Sequence, residues 1–213
     1  MTRLFPCVVL LGCALVGLLS GTGLAFAEER NLIVVTPEAE DVRVVHTREA
    51  VEFWNRTLEE LGLNIRLRAR VVVAPSGARS LETFARFVSQ RGGRLPKGTE
   101  GPQPPPELTS FSGDVVVLLS RQPLLPFAWP LAGTPDYFVA IRAPNSRRTK
   151  DGTVLRNVIA HELGHTLGLT HNRGGSSLMC APCSSLAAQA SPGGWLPLTG
   201  RDRDRLRQLH PEE

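Results

Sequence analysis

Cysteine is scarce in this sequence. Four cysteines occur among 213 residues, and two of them, Cys7 and Cys13, lie in the apolar N-terminal stretch. If export removes that stretch, only Cys180 and Cys183 remain, which limits the folded chain to one disulfide. The sequence thus excludes the small scaffolds that several disulfides stabilise. An oxidising compartment would favour a Cys180–Cys183 disulfide over a redox pair or half of a metal site, since partner cysteines are lacking.

Charge of one sign is also scarce. The formal net charge is +4, and arginine alternates with aspartate over Arg201–Arg205. A protein that binds nucleic acid usually concentrates Lys and Arg on one face, so we expect no nucleic-acid partner. No internal repeat is visible, and 42% of the residues are hydrophobic. This composition suffices for the core of one globular domain.

Only one hydrophobic run is long, and it lies at the N-terminus. Arg3 precedes the apolar segment Leu4–Leu24, and Ala25–Ala27 has the small-x-small pattern of a signal-peptidase site. These features predict a signal peptide over residues 1–27 and a secreted, periplasmic or extracellular protein without stable membrane insertion. Two alternatives stay open: Leu10–Cys13 is similar to a lipoprotein box, and the run is nearly long enough to remain as a membrane anchor.

Hydrophobic periodicity divides the remaining chain into strands, helices and one long loop. The predicted strands are Asn31–Thr36, Ile65–Val73, Asp114–Leu119 and Tyr137–Ile141. The predicted helices are Thr47–Leu61, a helix capped by Ser80 that ends before Gly92, Thr153–Leu167 and a last helix capped by Thr199. The Gly/Pro-rich segment Gly92–Gly113 is predicted to be a surface loop. This order is typical of an α+β domain with a twisted, mixed, mostly parallel sheet and long helices.

The predicted helix Thr153–Leu167 carries two histidines and a glutamate in a pattern that suits metal chemistry. His161 and His165 are four residues apart and project from one face of the helix, so both imidazoles can bind one metal ion. Glu162 neighbours the first histidine and can act as a general base toward water at the metal's open position. Two ligands are one fewer than the three protein ligands of a usual hydrolytic zinc site.

The residues after the helix supply the missing ligand. Gly168 allows the chain to turn sharply, and His171 can then return to the metal. A bare His-Glu-x-x-His pattern also arises by chance among structural histidines. Here three of the five histidines fall within eleven residues, with a glycine at the turn. We therefore predict one catalytic Zn²⁺ bound by His161, His165 and His171.

This extended pattern resembles that of the metzincin metallopeptidases, His-Glu-x-x-His-x-x-Gly-x-x-His followed by a methionine-containing turn beneath the metal. Ser177-Leu178-Met179 resembles that turn, and its spacing from His171 is most similar to the matrixin-type peptidases. The segment Leu198–Leu209 is similar to the helix that closes the matrixin domain. The resemblance implies a structural role for Met179 beneath the metal.

The resemblance also implies a fold and an activity. The fold is a zincin domain over residues 28–213, with an upper part of sheet and helices (28–168), a small irregular lower part that ends in a helix (169–213), and a cleft between them. The activity is that of a secreted zinc endopeptidase that cleaves polypeptides, with Glu162 as general base. A monomer is favoured.

The sequence departs from the matrixin pattern at several points. Asn172 follows the third histidine where matrixins commonly have serine, and no cysteine lies between the signal and Cys180 to block the zinc from a propeptide. Tyr137 is the only tyrosine, so the extra tyrosine ligand that some metzincins have after the methionine turn is missing. We see no calcium loop.

Other interpretations stay open at this point. The strand Tyr137–Ile141 is either the edge strand on which metzincins bind extended substrate or an ordinary buried strand. The protein could also be a catalytically silent zinc-binding module for adhesion or inhibition, although the intact Glu162 argues against this. A zinc hydrolase that does not cleave peptides is a third possibility, which the motif gives no reason to prefer.

Overall fold

A computed structural model describes residues 28–91, 103–131, 136–143, 152–183 and 194–211. The predicted signal peptide, residues 1–27, lies outside the described residues. So does the first half of the predicted surface loop, of which the structure describes the part from residue 103 onward. None of the helices within the described ranges is long and apolar enough to cross a membrane.

Five strands form one sheet in the order β2-β1-β3-β5-β4. Their bounds are β1 Glu28–Thr36, β2 Ile65–Val73, β3 Val115–Leu119, β4 Phe127–Pro130 and β5 Tyr137–Ile141. The pairs β1·β2, β1·β3 and β3·β5 are parallel, whereas β4 runs antiparallel to β5. All five residues of β3 are buried, as expected for a central strand that is covered on both faces.

The described helices pack on both faces of this sheet or close the C-terminal part. Their bounds are α1 Arg43–Glu60, α2 Pro75–Gln90, α3 Pro106–Thr109, α4 Gly152–Thr166 and α5 Gly200–Leu209. One core lies on the face covered by α1 and α4 and includes Trp54, which is fully buried. A second core on the opposite face joins α2 to the sheet and includes Phe138. The predicted mixed, mostly parallel sheet with long helices is therefore confirmed.

Several helix starts differ from the sequence prediction. α2 begins at Pro75 instead of after a Ser80 cap, because proline at the first helical position loses no hydrogen bond and has its φ already set for a helix. Ser80 lies inside α2, where its hydroxyl donates to the Glu107 carboxylate at 3.0 Å. α1 likewise begins at Arg43, whose backbone N–H donates to the Asp41 side chain at 2.9 Å. The predicted Ser80 cap is wrong.

The edge of the sheet beside α4 is β4, in a segment for which the sequence predicts neither strand nor helix. The strand Tyr137–Ile141 has the predicted bounds, but it lies between β3 and β4 and so is the buried strand of the two alternatives. Pro130 ends β4, and Pro126 precedes it. Prolines within a sheet are confined to edges and strand ends because they cannot donate to a ladder. These prolines are not typical of a strand interior, so the sequence did not predict β4. They are nevertheless compatible with an edge strand.

The chain beyond α4 is mostly irregular in the part that the structure describes, and it ends in a helix, as predicted. Gly168 ends α4 with a φ of +85°, a conformation that glycine adopts without steric cost. Thr199 caps α5 in a capping box with Asp202. This irregular part passes beneath α4 and brings its residues against the helix.

Candidate metal centre

The helix α4 directs two imidazoles toward one point. The Nδ1–H of His161 donates to the Leu178 carbonyl oxygen at 2.7 Å, and that of His165 donates to the Leu169 carbonyl oxygen at 2.8 Å. A carbonyl oxygen only accepts, so each contact fixes the tautomer with hydrogen on Nδ1. The Nε2 atom of each ring is left with a lone pair. Such outer partners orient the histidine ligands of metal sites.

His171 completes the cluster from the irregular segment after Gly168. Its Nε2 lies 3.1 Å from His161 Nε2 and 3.2 Å from His165 Nε2. Nitrogen ligands in a tetrahedral zinc site, bound at about 2.0–2.1 Å, are about 3.3 Å apart. Two of the three nitrogens present only lone pairs, so a shared cation would satisfy all three rings at once. The donor set and the spacing therefore fit zinc.

Burial keeps the helical ligands neutral. It lowers the pKa of His161 to about 4, against which the Leu178 carbonyl acts in the opposite direction, and the neighbouring imidazoles lower that pKa further. Burial also lowers the pKa of His165. A neutral imidazole is the form that binds a metal, so at neutral pH both rings are in the form that binds zinc.

Glu162 follows His161 in α4 and is 7% exposed. It accepts a hydrogen bond from the backbone N–H of Ala128 in β4, and burial raises the pKa of its carboxyl group to about 8. Together with His165 and His171 it lines a cleft of about 420 Å³ between β4 and the segment from Gly168 onward. A carboxylate with raised proton affinity at the edge of a metal site is suited to general-base chemistry.

The raised pKa of Glu162 predicts a pH-dependent stability in the metal-free protein. Between about pH 4.5, the ordinary pKa of a glutamate, and about pH 8, the Glu162 carboxyl group keeps its proton in the folded protein but loses it in the unfolded chain. The free energy of unfolding therefore falls as the pH rises through that range. Glu162→Gln cannot ionise. We expect it to be more stable than the native chain by about 4 kcal/mol at about pH 8 and unchanged at about pH 4. Denaturant unfolding of chelated protein at both pH values measures this.

The matched control for that experiment is Glu59→Gln, because Glu59 is an exposed residue of α1. It should leave the unfolding free energy unchanged at both pH values. An equal effect of both substitutions, or a Glu162→Gln protein that is no more stable at the higher pH, would mean that the buried carboxyl group is not destabilising the folded state.

Met179 packs against α4, the helix that carries His161 and His165. It is fully buried, and it lies against Gly164, the residue directly before the second helical ligand. A Cβ atom at Gly164 would lie 2.7 Å from Met179 Sδ and 3.0 Å from Trp54 Cζ2. Trp54 is itself held by donation from its Nε1 to the Ala160 carbonyl at 2.9 Å. Only glycine therefore lets the methionine approach the helix this closely, which fits the predicted structural role of Met179.

Gly164→Ala should destabilise the fold. Alanine has the higher helix propensity by about 1 kcal/mol, but overpacking against two buried groups costs about 2–3 kcal/mol, so we expect a net loss of about 1–2 kcal/mol in the free energy of unfolding. Gly200→Ala is the control, because a Cβ atom at that helical position meets nothing within 4 Å. Urea unfolding should show a loss only for Gly164→Ala, and equal midpoints would contradict the packing role.

Asn172 joins the segment of the third ligand to α5. Its Nδ2 donates to the Asp202 carboxylate at 2.9 Å, and its Oδ1 accepts from Ser177 Oγ at 2.7 Å. Its backbone N–H donates to the Met179 carbonyl at 2.8 Å. The sequence did not predict the contact of Asp202 with Asn172, because the two are separated by 30 residues and share no motif.

The two remaining sequence predictions at this site concern cysteine and tyrosine. The predicted disulfide between Cys180 and Cys183 is present, directly after the methionine turn. Tyr137 lies at the start of β5 and lines the cleft. None of these three residues contributes an atom to the cluster of three imidazole nitrogens.

Comparison with known proteins points to the same segment. Residues 145–185 match the sequence profile of a family described as Met-zincin, and this range includes all three histidines, Glu162 and Met179. No curated protein sequence matches this chain. The match and the histidine cluster support a metzincin-like zinc peptidase, whereas the closer likeness to matrixins stays a prediction.

Solved structures with a similar arrangement are distant in sequence. Archaemetzincin from Methanopyrus kandleri is 14% identical, with 88% of this chain and 98% of that chain covered and a TM-score of 0.45. A zinc-dependent peptidase from Methanocorpusculum labreanum is 17% identical, with 83% and 99% covered and a TM-score of 0.40. Metalloproteinase-II from Bacteroides fragilis is 12% identical, with 90% and 55% covered and a TM-score of 0.47.

Proposed function

We propose that this protein is a secreted zinc-dependent endopeptidase that hydrolyses peptide bonds with Glu162 as general base. The observation that carries the proposal is the convergence of three imidazole Nε2 atoms: His171 Nε2 lies 3.1 Å from His161 Nε2 and 3.2 Å from His165 Nε2. The buried carboxyl group of Glu162 lines the same cleft as His165 and His171. His161, His165 and His171 would hold one zinc ion.

Zinc in a three-histidine site lowers the pKa of a water molecule that it binds and polarises a carbonyl group as a Lewis acid. Glu162 supplies the proton transfers. Its carboxylate accepts a proton from the attacking water and donates that proton to the departing amine. Ala128 holds the carboxylate at the wall of the cleft through its backbone N–H, which orients one oxygen and leaves the other for this transfer.

The lining of the cleft favours internal cleavage of a polypeptide. Glu162 is the only carboxyl group among the residues that line the described cleft, and no lysine or arginine is among them. An exopeptidase needs a fixed charge to bind the α-amino or α-carboxyl group of a chain end. An extended chain can instead lie along the edge strand β4, which forms one wall, and pair with it through its backbone.

Export is part of the proposal. The apolar segment with its small-x-small site over residues 1–27 supports it, and a disulfide between Cys180 and Cys183 suits an oxidising compartment. The proposal divides residues 28–213 into an upper part (28–168) and a lower part (169–213). The lining of the cleft supports this division, because it includes residues from both parts.

Metal removal tests the proposed activity. The native protein should cleave an unfolded protein substrate, a chelator should abolish cleavage, and stoichiometric zinc should restore it, because zinc supplies the Lewis acid. Gel analysis of a disordered substrate gives the readout. Cleavage that persists without metal would contradict the proposal, and zinc-loaded native protein that cleaves nothing would favour a zinc-binding adhesion or inhibitor module.

A further inference from the structure

The backbone of β4 alternates between groups that face β5 and groups that face the cleft. Leu131 N donates to Asp136 O at 2.9 Å, so these two residues form a hydrogen-bonded pair. The next residue, Tyr137, instead donates its N–H to Asp114 O at 3.0 Å, on the side of β5 that faces away from β4. Along an antiparallel ladder the hydrogen-bonded pairs recur at every second residue. Trp129 is therefore bonded to Phe138, its partner in the register.

The same alternation turns Ala128 and Pro130 away from β5. Their register partners are Val139 and Tyr137, and these two pairs are the non-hydrogen-bonded ones. The backbone N–H of Ala128 accordingly reaches Glu162 in the cleft. Both Ala128 and Pro130 line the cleft, so their outward backbone groups are the ones that a substrate chain would meet.

The side of β4 that faces the cleft has almost no free backbone N–H donor from Leu125 to Pro130, a range that the structure describes in full. Pro126 and Pro130 have no N–H, and Leu125 N donates to Ser89 Oγ at 2.9 Å. Only Ala128 has an N–H that faces the cleft, and Glu162 accepts it. The carbonyl oxygens of Ala128 and Pro130 are the outward groups that remain for a peptide.

We propose that β4 is an acceptor-only edge, which recognises a substrate through backbone N–H groups and not through its carbonyl groups. This inference rests on the proposed function. A chain paired antiparallel with β4 would donate from two residues, two positions apart, to Ala128 O and Pro130 O. Proline or an N-methylated residue is rejected at either position, whereas the carbonyl groups of those residues contribute no bond to the edge.

The prolines also limit how far the substrate can pair. A free edge strand normally offers both donors and acceptors, and pairs with any extended segment that reaches it. Here each proline removes one donor from the outward row, so pairing is one-sided at every position around Ala128. Apart from Glu162, no residue that lines the described cleft has a carboxyl group, and no Lys or Arg lines it. Substrate recognition at this edge therefore depends on backbone hydrogen bonds. The substrate class is thus an extended segment with unblocked N–H groups at alternate residues.

A series of ester-substituted peptides tests the inference with the native zinc-loaded enzyme. Each peptide replaces one backbone N–H by oxygen and leaves the scissile bond intact, and the specificity constant kcat/KM is measured for each. We expect two positions, separated by one residue, to lose about fivefold to tenfold each, as one hydrogen bond is lost. The position between them should be unchanged.

A donor restored to the edge provides the complementary test. Pro130→Ala adds an outward N–H, so a substrate carbonyl gains a partner, and KM for a long peptide should fall about fivefold. Peptides too short to reach Pro130 should keep their KM. Pro123→Ala is the matched control, because Pro123 is exposed and does not line the cleft; it should leave KM unchanged for both lengths.

The outcomes separate this inference from the proposed function. Equal sensitivity to ester substitution at all positions, or an unchanged KM in Pro130→Ala, overturns the acceptor-only edge while cleavage itself still supports the peptidase. Absence of cleavage by the native zinc-loaded protein overturns the proposed function, and the inference with it.

Discussion

Replacement of Glu162 by glutamine is expected to reduce kcat for cleavage of an unfolded protein about 10²–10⁴-fold, the usual range for loss of a general acid–base group, while zinc content is unchanged. Glutamine has nearly the same size and can still accept the Ala128 N–H that reaches Glu162. It cannot take a proton from water. The zinc ligands are separate residues whose Nδ1 contacts do not involve Glu162, so the metal should stay bound.

Glu59→Gln is the control for this prediction, since Glu59 is exposed on α1, away from the cleft. Zinc is quantified by elemental analysis on the same samples that are assayed for cleavage. If Glu162→Gln keeps native activity, the assigned mechanism is wrong. If it loses zinc together with activity, Glu162 acts as a ligand or as a structural residue and not as a general base.

His171→Ala is expected to weaken zinc binding by at least about 10²-fold, which exceeds the 10–100-fold range of partners that only orient a ligand. The substitution leaves two ligands, His161 and His165, which both lie on α4. His171 is exposed and lies on an irregular segment, so its truncation creates no cavity in the core. The loss should therefore appear in zinc affinity and activity and not in the fold.

Competition with a chromophoric chelator measures that affinity, and circular dichroism reports on the fold. His46→Ala is the control: His46 has its own contact, from its Nδ1 to Glu49 at 2.9 Å, outside the metal cluster. It should bind zinc as the native protein does. Native affinity in His171→Ala would remove His171 from the ligand set and leave the site short of its third nitrogen.

The helical half of this site could be predicted from sequence because its geometry is local. The 3.6-residue period places His161 and His165 on one face of any helix that contains both. Gly168 could be identified as a turn because few residues other than glycine adopt positive φ without strain, and its φ is +85°. The turn then brings His171 within reach of the same point.

The surroundings of the site could not be predicted, because they depend on tertiary contacts between segments far apart in the chain. The pairing of Asn172 with Asp202 joins a loop to a helix. The contact of Glu162 with Ala128 joins α4 to a strand that its flanking prolines made resemble a loop. The parallel sheet, by contrast, was predictable in outline, since long apolar runs such as Val115–Leu119 are typical of central strands.

The X-ray absorption spectrum of the zinc-loaded native protein at the zinc edge tests the central claim most directly. We predict three imidazole nitrogens from His161, His165 and His171 at about 2.0–2.1 Å, with a light atom as the fourth neighbour and no sulfur. One imidazole fewer in His171→Ala would assign the third ligand. A sulfur neighbour at about 2.3 Å, or a shell of oxygen without imidazole, would contradict the account.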